Sequence, residues 1–159
     1  MDTPWRPKTI GEILGQDQGT SPGASIFRRY LELDINTEEK FRAMAAPDRY
    51  LWLIFWLGWQ VENGGISQFF WNSQGDYALE TLEALQAIGA AESYRVLAQA
   101  CALFPDGRPS QDQEVRQDQI RDISAHAGVE DIDDMIVGDL DANLTELLWE
   151  YHRTHTIAT

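Results

Sequence analysis

The sequence from Tyr50 to Trp59 is YLWLIFWLGW, in which only Gly58 lacks a large apolar side chain. This run is about half of the ~20 residues that a helix needs to span a bilayer. A helix that is apolar on every side has to be covered on every side. The stretch therefore predicts a central helix over about residues 48–62, surrounded by the other elements of a bundle.

The segments on either side of this helix carry signals for its ends. Residues 62–75 are ENGGISQFFWNSQG, and the adjacent Gly64 and Gly65 predict a tight reversal of the chain, because glycine adopts positive φ angles at little cost. On the other side, Asn36 and Glu39 have the spacing of a capping box. They predict a helix that ends near Pro47, whose missing N–H group prevents simple continuation.

In the rest of the chain, apolar residues recur every three or four positions, as on one face of an α-helix. The predicted helices cover residues 76–88, 90–104, 111–126 and 140–151. We find no alternating pattern typical of strands. The expected fold class is therefore all-α: a single-domain, multi-helix bundle over residues 25–155, preceded by an extended N-terminal arm over residues 1–24 that is rich in Pro and Gly.

Composition limits the classes of function. The chain has 159 residues, with 26 acids against 12 bases and a formal net charge of −14. A general role in binding nucleic acid or an anionic membrane through a basic surface is excluded, because the chain would repel phosphates. A charged partner should be basic. A hydrophobic content of 43% indicates a folded protein. The single cysteine, Cys101, excludes an intramolecular disulfide, and with no signal-like apolar segment we expect a cytoplasmic protein.

The negative charge is concentrated in residues 130–150, which we call the acidic segment. It contains eight acids and no Lys or Arg. Written as mostly helical, the segment is about 30 Å long, with one charge every ~4 Å, close to the phosphate spacing of a DNA strand. The candidate partner-binding acids are Glu130, Asp131, Asp133, Asp134, Asp139, Asp141, Glu146 and Glu150, with Asp76, Glu80 and Glu83 from a second stretch without bases.

A structural interpretation of the same acids stays open. Asp131, Asp139 and Asp141 stand where helices are expected to begin, so their carboxylates would satisfy unpaired N–H groups as N-caps. Glu146 and Glu150 would then be ordinary solvated positions, because runs of charge usually face the solvent.

No pattern indicates catalysis, a cofactor or a metal site. A calcium loop beginning at Asp139 fails, because Leu144 stands where the sharp turn of the loop needs glycine. His152 and His155 lie beside Glu150 in an arrangement that resembles metal ligands, but no cysteine or third histidine is near in the sequence. Cys101 lies on an apolar helix face, where a thiol usually packs as a small hydrophobe. We therefore expect no enzyme, no cofactor and no metal.

The stretch from Trp59 to Pro105 contains an Asn-Gly-Gly turn at 63–65, then Gln68, Phe69, Phe70 and Asn72, an acidic helix and an Ile-Gly-Ala joint at 88–90. In these residues the chain resembles the bacterial DNA-mimic protein nineteen family. Ile66 departs from the pattern, since an aromatic residue is common there. The resemblance implies an all-α fold and, for the family's named member, binding to a helix-turn-helix transcription regulator through carboxylates placed where DNA phosphates would lie. It transfers no site residue, because the motif looks architectural.

The leading hypothesis is a non-enzymatic bacterial DNA mimic that occupies the basic DNA-binding surface of a transcription regulator or other nucleic-acid-binding protein. The alternative is an immunity- or antitoxin-type protein that neutralises a toxin through a specific acidic interface. Neither hypothesis involves nucleic acid or a membrane as the partner. The sequence leaves both a monomer and a homodimer open.

Overall fold

The computed structural model describes residues 21–156, which form seven α-helices and contain no strand. The prediction of an all-α multi-helix bundle is confirmed. The helices are α1 (Pro22–Glu32), α2 (Glu38–Ala43), α3 (Ala46–Trp71), α4 (Ala78–Ile88), α5 (Ala91–Ala102), α6 (Gln113–Ala127) and α7 (Leu144–Thr156), with 3-10 turns at Ser73–Tyr77, Pro105–Gly107 and Ile132–Met135.

The predicted arm over residues 1–24 falls mostly outside the described residues. The part that is described is not extended, because α1 already begins at Pro22. Ser21 caps this helix by accepting a hydrogen bond from the backbone N–H of Ala24 at 3.2 Å.

The central helix is α3, which packs against α1, α4, α6 and α7. No residue from Tyr50 to Val61 is exposed, and the side chains of Leu51, Ile54 and Leu57 have no accessible surface. The apolar run is thus covered on all sides, as its composition requires. The first helical part of α3 ends at Gly64 and Gly65, close to the predicted end at about residue 62, and a second, short part reaches Trp71. No helix within residues 21–156 combines the length and the apolar character needed to cross a bilayer.

The two glycines interrupt α3, and the chain bends back sharply there, as the Gly-Gly pair predicts. A straight helix would put residues 60 and 72 about 18 Å apart, whereas the side chain of Gln60 accepts a hydrogen bond from that of Asn72 at 2.9 Å. Gly64 has φ −160° and ψ 21°, and Gly65 has φ 78° and ψ −175°. Beyond them the chain resumes a helix that runs to Trp71. A Cβ atom on Gly65 would lie 2.6 Å from the carboxylate Oδ1 of Asp133, so a glycine is needed for space as well as for its backbone angles.

The predicted cap of α2 is wrong by one residue. Thr37, with extended backbone angles, is the N-cap, and its Oγ1 accepts a hydrogen bond from the N–H of Lys40 at 3.1 Å. Asn36 precedes the cap, so the spacing to Glu39 is not that of a capping box.

One carboxylate joins α1, α3 and α7. Asp48, near the start of α3, accepts hydrogen bonds from Arg29 Nε at 3.0 Å and Nη2 at 2.7 Å, and it contacts His152 Nε2 at 2.7 Å. Burial raises the pKa of Asp48, but the hydrogen bonds from Arg29 and His152 outweigh burial and leave the pKa below its usual value. The first and last described helices are therefore tied to the same end of the central helix.

A buried arginine closes the other end of α3. Arg116 of α6 has no exposed surface and donates to the carbonyl oxygens of Phe70 at 2.5 Å, Asn72 at 2.7 Å and Ser110 at 2.7 Å. Its charge is balanced by Asp76 at 2.8 Å. The carbonyl groups at the end of a helix have no partners within that helix, so this guanidinium satisfies groups that would otherwise be buried unpaired.

We predict that Gly65→Ala destabilises the fold more than Gly89→Ala. Both residues have positive φ, but nothing lies within 4 Å of a Cβ on Gly89. The control should lose about 1–2 kcal/mol from left-handed strain alone. At Gly65 the backbone region is one that essentially only glycine occupies, and Asp133 blocks the new atom, so we expect a loss of about 3 kcal/mol or more. Urea unfolding followed by circular dichroism measures both losses, and equal losses would contradict the role given to Asp133.

Candidate functional site

The acidic segment runs across the surface from the break in α3 to the start of α5 and then into α7. It is anchored by buried apolar side chains, with Ile132 fully buried and Leu144 2% exposed. Between these anchors it contains the 3-10 turn Ile132–Met135 and an irregular stretch up to residue 143. Its carboxylates do not share one environment, and they separate into acids that hold the fold and acids that face solvent.

Asp133 enters the break in α3 and caps the helix that resumes there. Its Oδ1 accepts a hydrogen bond from the N–H of Ile66 at 2.6 Å, and its Oδ2 accepts one from Ser67 at 3.1 Å. The pKa of Asp133 is raised above its usual value, mainly by burial and further by the neighbouring Asp131 carboxylate. The hydrogen bonds from Ser67 and Ile66 offset only part of this rise. The residue is thus a helix cap supplied from 67 positions away in the sequence.

Asp131 supports this cap. It accepts hydrogen bonds from the hydroxyl of Ser67 at 3.1 Å and from the N–H of Asp133 at 3.0 Å. Burial alone would raise the pKa of Asp131, but its hydrogen bonds with Asp133 and Ser67 outweigh burial and lower it. Asp131 is also the N-cap of the 3-10 turn that carries Asp133. This is the contact that the structural interpretation of Asp131 expects.

Asp141 performs the same task for α5. Its Oδ2 accepts hydrogen bonds from both the N–H and the hydroxyl of Ser93, each at 2.7 Å, and its own N–H donates to that hydroxyl at 2.8 Å. Ser93 is fully buried. This reciprocal pair ties the acidic segment to the first turn of α5, where a negative charge is favoured by the helix dipole.

The acids outside the segment are mostly paired. Glu80 binds Arg42 through two hydrogen bonds of 2.7 and 2.8 Å, and Asp76 contacts the buried Arg116. Of the three acids predicted in this region, only Glu83 is exposed and without a partner among the described residues. Arg42 and Arg116 come from distant parts of the sequence. A stretch of sequence without Lys or Arg can therefore still have basic side chains beside it in the folded chain.

Four acids of the segment are exposed, and their carboxylates make no hydrogen bond or ion pair within residues 21–156. We call them the open acids, and they are Glu130, Asp134, Asp139 and Glu146. Glu150 lies one turn beyond Glu146 on α7 and is also exposed, but it pairs with Arg153 at 2.7 Å. An exposed pair of this kind is weak and is easily exchanged for a stronger partner.

The glycine and amide residues of the motif at 63–72 bridge the break in α3. Gln60, before the break, accepts hydrogen bonds from Gln68 at 2.7 Å and Asn72 at 2.9 Å, both beyond it. Phe69 and Phe70 are buried in the core. The motif therefore serves the architecture, as expected, and its amides Gln68 and Asn72 hold the side chain of Gln60.

No group of three or more His, Cys, Asp or Glu side chains within residues 21–156 is placed to hold a metal ion. Burial raises the pKa of the Cys101 thiol to about 12, which keeps it protonated and inert at neutral pH.

Comparison with known proteins gives one match. A family model described as DMP19-like protein matches residues 42–155, which is more than two thirds of the chain and includes α3 to α6, nearly all of α7, and the acidic segment. No curated protein and no solved structure matches the chain.

We predict opposite results for two adjacent acids. Asp133→Asn replaces an acceptor that serves two backbone N–H groups with an amide that can serve only one well, so the free energy of unfolding should fall by about 1–3 kcal/mol. Asp134→Asn changes an exposed acid without a described partner and should stay within about 0.5 kcal/mol of the parent. Urea midpoints at neutral pH measure both effects. A large loss in the Asp134 variant, or none in the Asp133 variant, would contradict the assignment.

Proposed function

The chain belongs to the DMP19-like protein family, and from this premise we propose that it is a non-enzymatic DNA mimic. It binds the basic DNA-binding surface of a transcription regulator or another nucleic-acid-binding protein and keeps that surface from DNA. The open acids take the places of phosphates. Glu150 joins them when its exposed pair with Arg153 opens.

This proposal rests on the separation of the acidic segment into acids that hold the fold and acids that face solvent. Asp131, Asp133 and Asp141 are held by hydrogen bonds to α3, α5 and the 3-10 turn. Because these anchors alternate with the open acids, the open carboxylates project from a backbone that is fixed before any partner arrives. A preorganised surface loses less conformational entropy on binding than a flexible acidic tail does.

The charge of the chain supports the same mechanism. A net charge of −14 attracts a basic surface over long range and speeds the encounter. At contact, carboxylates pair with Arg and Lys side chains that otherwise bind phosphates. Both effects weaken as salt screens the charges, so affinity should fall steeply with ionic strength.

The partner is identified by capture and release. The tagged chain is immobilised, a lysate of the organism that encodes it is applied at low salt, and bound proteins are eluted in parallel by a salt gradient and by duplex DNA. A mimic predicts that a DNA-binding protein is released by the duplex. A captured protein that salt releases and duplex DNA does not would contradict mimicry and favour the immunity- or antitoxin-type function.

We predict that neutralising the open acids weakens binding more than an equal change of charge elsewhere. The variant is Glu130→Gln, Asp134→Asn, Asp139→Asn and Glu146→Gln. The control neutralises four other exposed acids without described partners, namely Glu39→Gln, Asp106→Asn, Glu114→Gln and Asp122→Asn. Both variants change the net charge equally, so long-range attraction falls equally in the two.

Affinity for the captured DNA-binding protein is measured by calorimetry at several salt concentrations. The open-acid variant should bind roughly 10- to 100-fold more weakly than the control, with a shallower dependence on salt, because four short-range charge contacts are lost. Similar affinities for the two variants would show that only net charge matters and would contradict the assignment of the surface.

A further inference from the structure

Val137 is the most exposed of the large hydrophobic residues in the described part of the chain, with 72% of its surface accessible. Single exposed apolar side chains are common on protein surfaces and by themselves need no explanation. The backbone of Val137 is not free, and its surroundings are unusual in charge.

Two side chains of α5 fix the backbone of Val137 in place. Its carbonyl oxygen accepts hydrogen bonds from Gln99 Nε2 at 2.9 Å and Arg95 Nη1 at 3.1 Å, and its N–H donates to Gln99 Oε1 at 3.3 Å. The next residue, Gly138, has φ 108°, and a Cβ atom there would lie 2.4 Å from Arg95 Nη2. The fold thus holds the chain down on α5 and leaves the valine side chain in solvent.

Open acids lie on both sides of Val137 along the chain. Asp134 precedes it by three residues and Asp139 follows it by two, which limits the separations along the chain to about 11 Å and about 7 Å. Neither has a partner among the described residues. The nearby Arg95 is also exposed, and its charge is balanced by Glu92 at 2.8 Å. A fixed apolar group therefore sits between unpaired negative charges.

We propose that Val137 provides the apolar contact at the centre of the DNA-mimicking surface and takes the place of a thymine methyl group. This inference rests on the proposed function. Proteins that read the major groove place Arg and Lys on phosphates and an apolar side chain on the C5-methyl of thymine. The partner surface that fits residues 134–139 is accordingly a DNA-reading element with an apolar side chain flanked by basic residues.

The test uses Val137→Thr, with Val115→Thr as the matched control. Threonine keeps the β-branched shape, and both valines are exposed, Val115 at 48% on α6, so neither variant should unfold the chain. The probe is the purified DNA-binding protein that duplex DNA releases from the immobilised wild-type chain. Affinities are measured at several salt concentrations, and urea midpoints confirm that both variants are folded.

We expect Val137→Thr to bind this protein roughly tenfold more weakly, because the interface would bury a hydroxyl where it buried a methyl group. The dependence of affinity on salt should be unchanged, and Val115→Thr should bind like the parent. Unchanged affinity of Val137→Thr, or an equal loss in the control, overturns the inference while leaving the proposed function intact if the open-acid variant still binds weakly. Failure to capture any protein that duplex DNA releases overturns both.

Discussion

The placement of the Asp133 carboxylate in the break of α3 is the constraint on which the rest of the structure depends. Resuming a helix inside a protein exposes N–H groups that have no partner in the preceding turn, and leaving them buried and unpaired is costly. Asp133 satisfies two of them. At the other end of the same short helix, Arg116 satisfies the carbonyl groups of Phe70 and Asn72. A negative group at the N-terminal end and a positive group at the C-terminal end are what the helix dipole favours.

These two contacts explain why distant parts of the chain are arranged as they are. Asp133 brings the 3-10 turn Ile132–Met135 onto α3, and Arg116 brings α6 onto the end of the same helix. Gly65 and Gly75 are glycines for a related reason, since a Cβ atom on either would collide with Asp133 or Arg116. The motif at 63–72 is thus one half of a structure whose other half lies beyond residue 110.

The sequence predicts the fold class and the central helix because both follow from local patterns. A run of apolar residues and a helical period are visible over ten or fifteen positions. The Gly-Gly pair predicts where the chain bends, but the contact with Asp133 that fills the bend is remote in the sequence and leaves no local signal. The acids illustrate the same limit: Asp133 and Asp134 are neighbours of identical type, and only tertiary contacts make one a cap and the other open. Likewise, acids that lie in a stretch of sequence without bases form ion pairs with Arg42, Arg95 and Arg116 in the folded chain.

The alternation of anchoring and open acids has a consequence for how such a chain changes over evolutionary time. Under the proposed function, substitutions at Glu130, Asp134, Asp139 or Glu146 would alter what the surface offers to a partner and leave the contacts that hold the segment unchanged. Substitutions at Asp131, Asp133 or Asp141 would act on the fold and only indirectly on binding. Partner choice and foldability would then be encoded by interleaved but separate positions, so that the same scaffold could be retargeted to a new protein without being rebuilt.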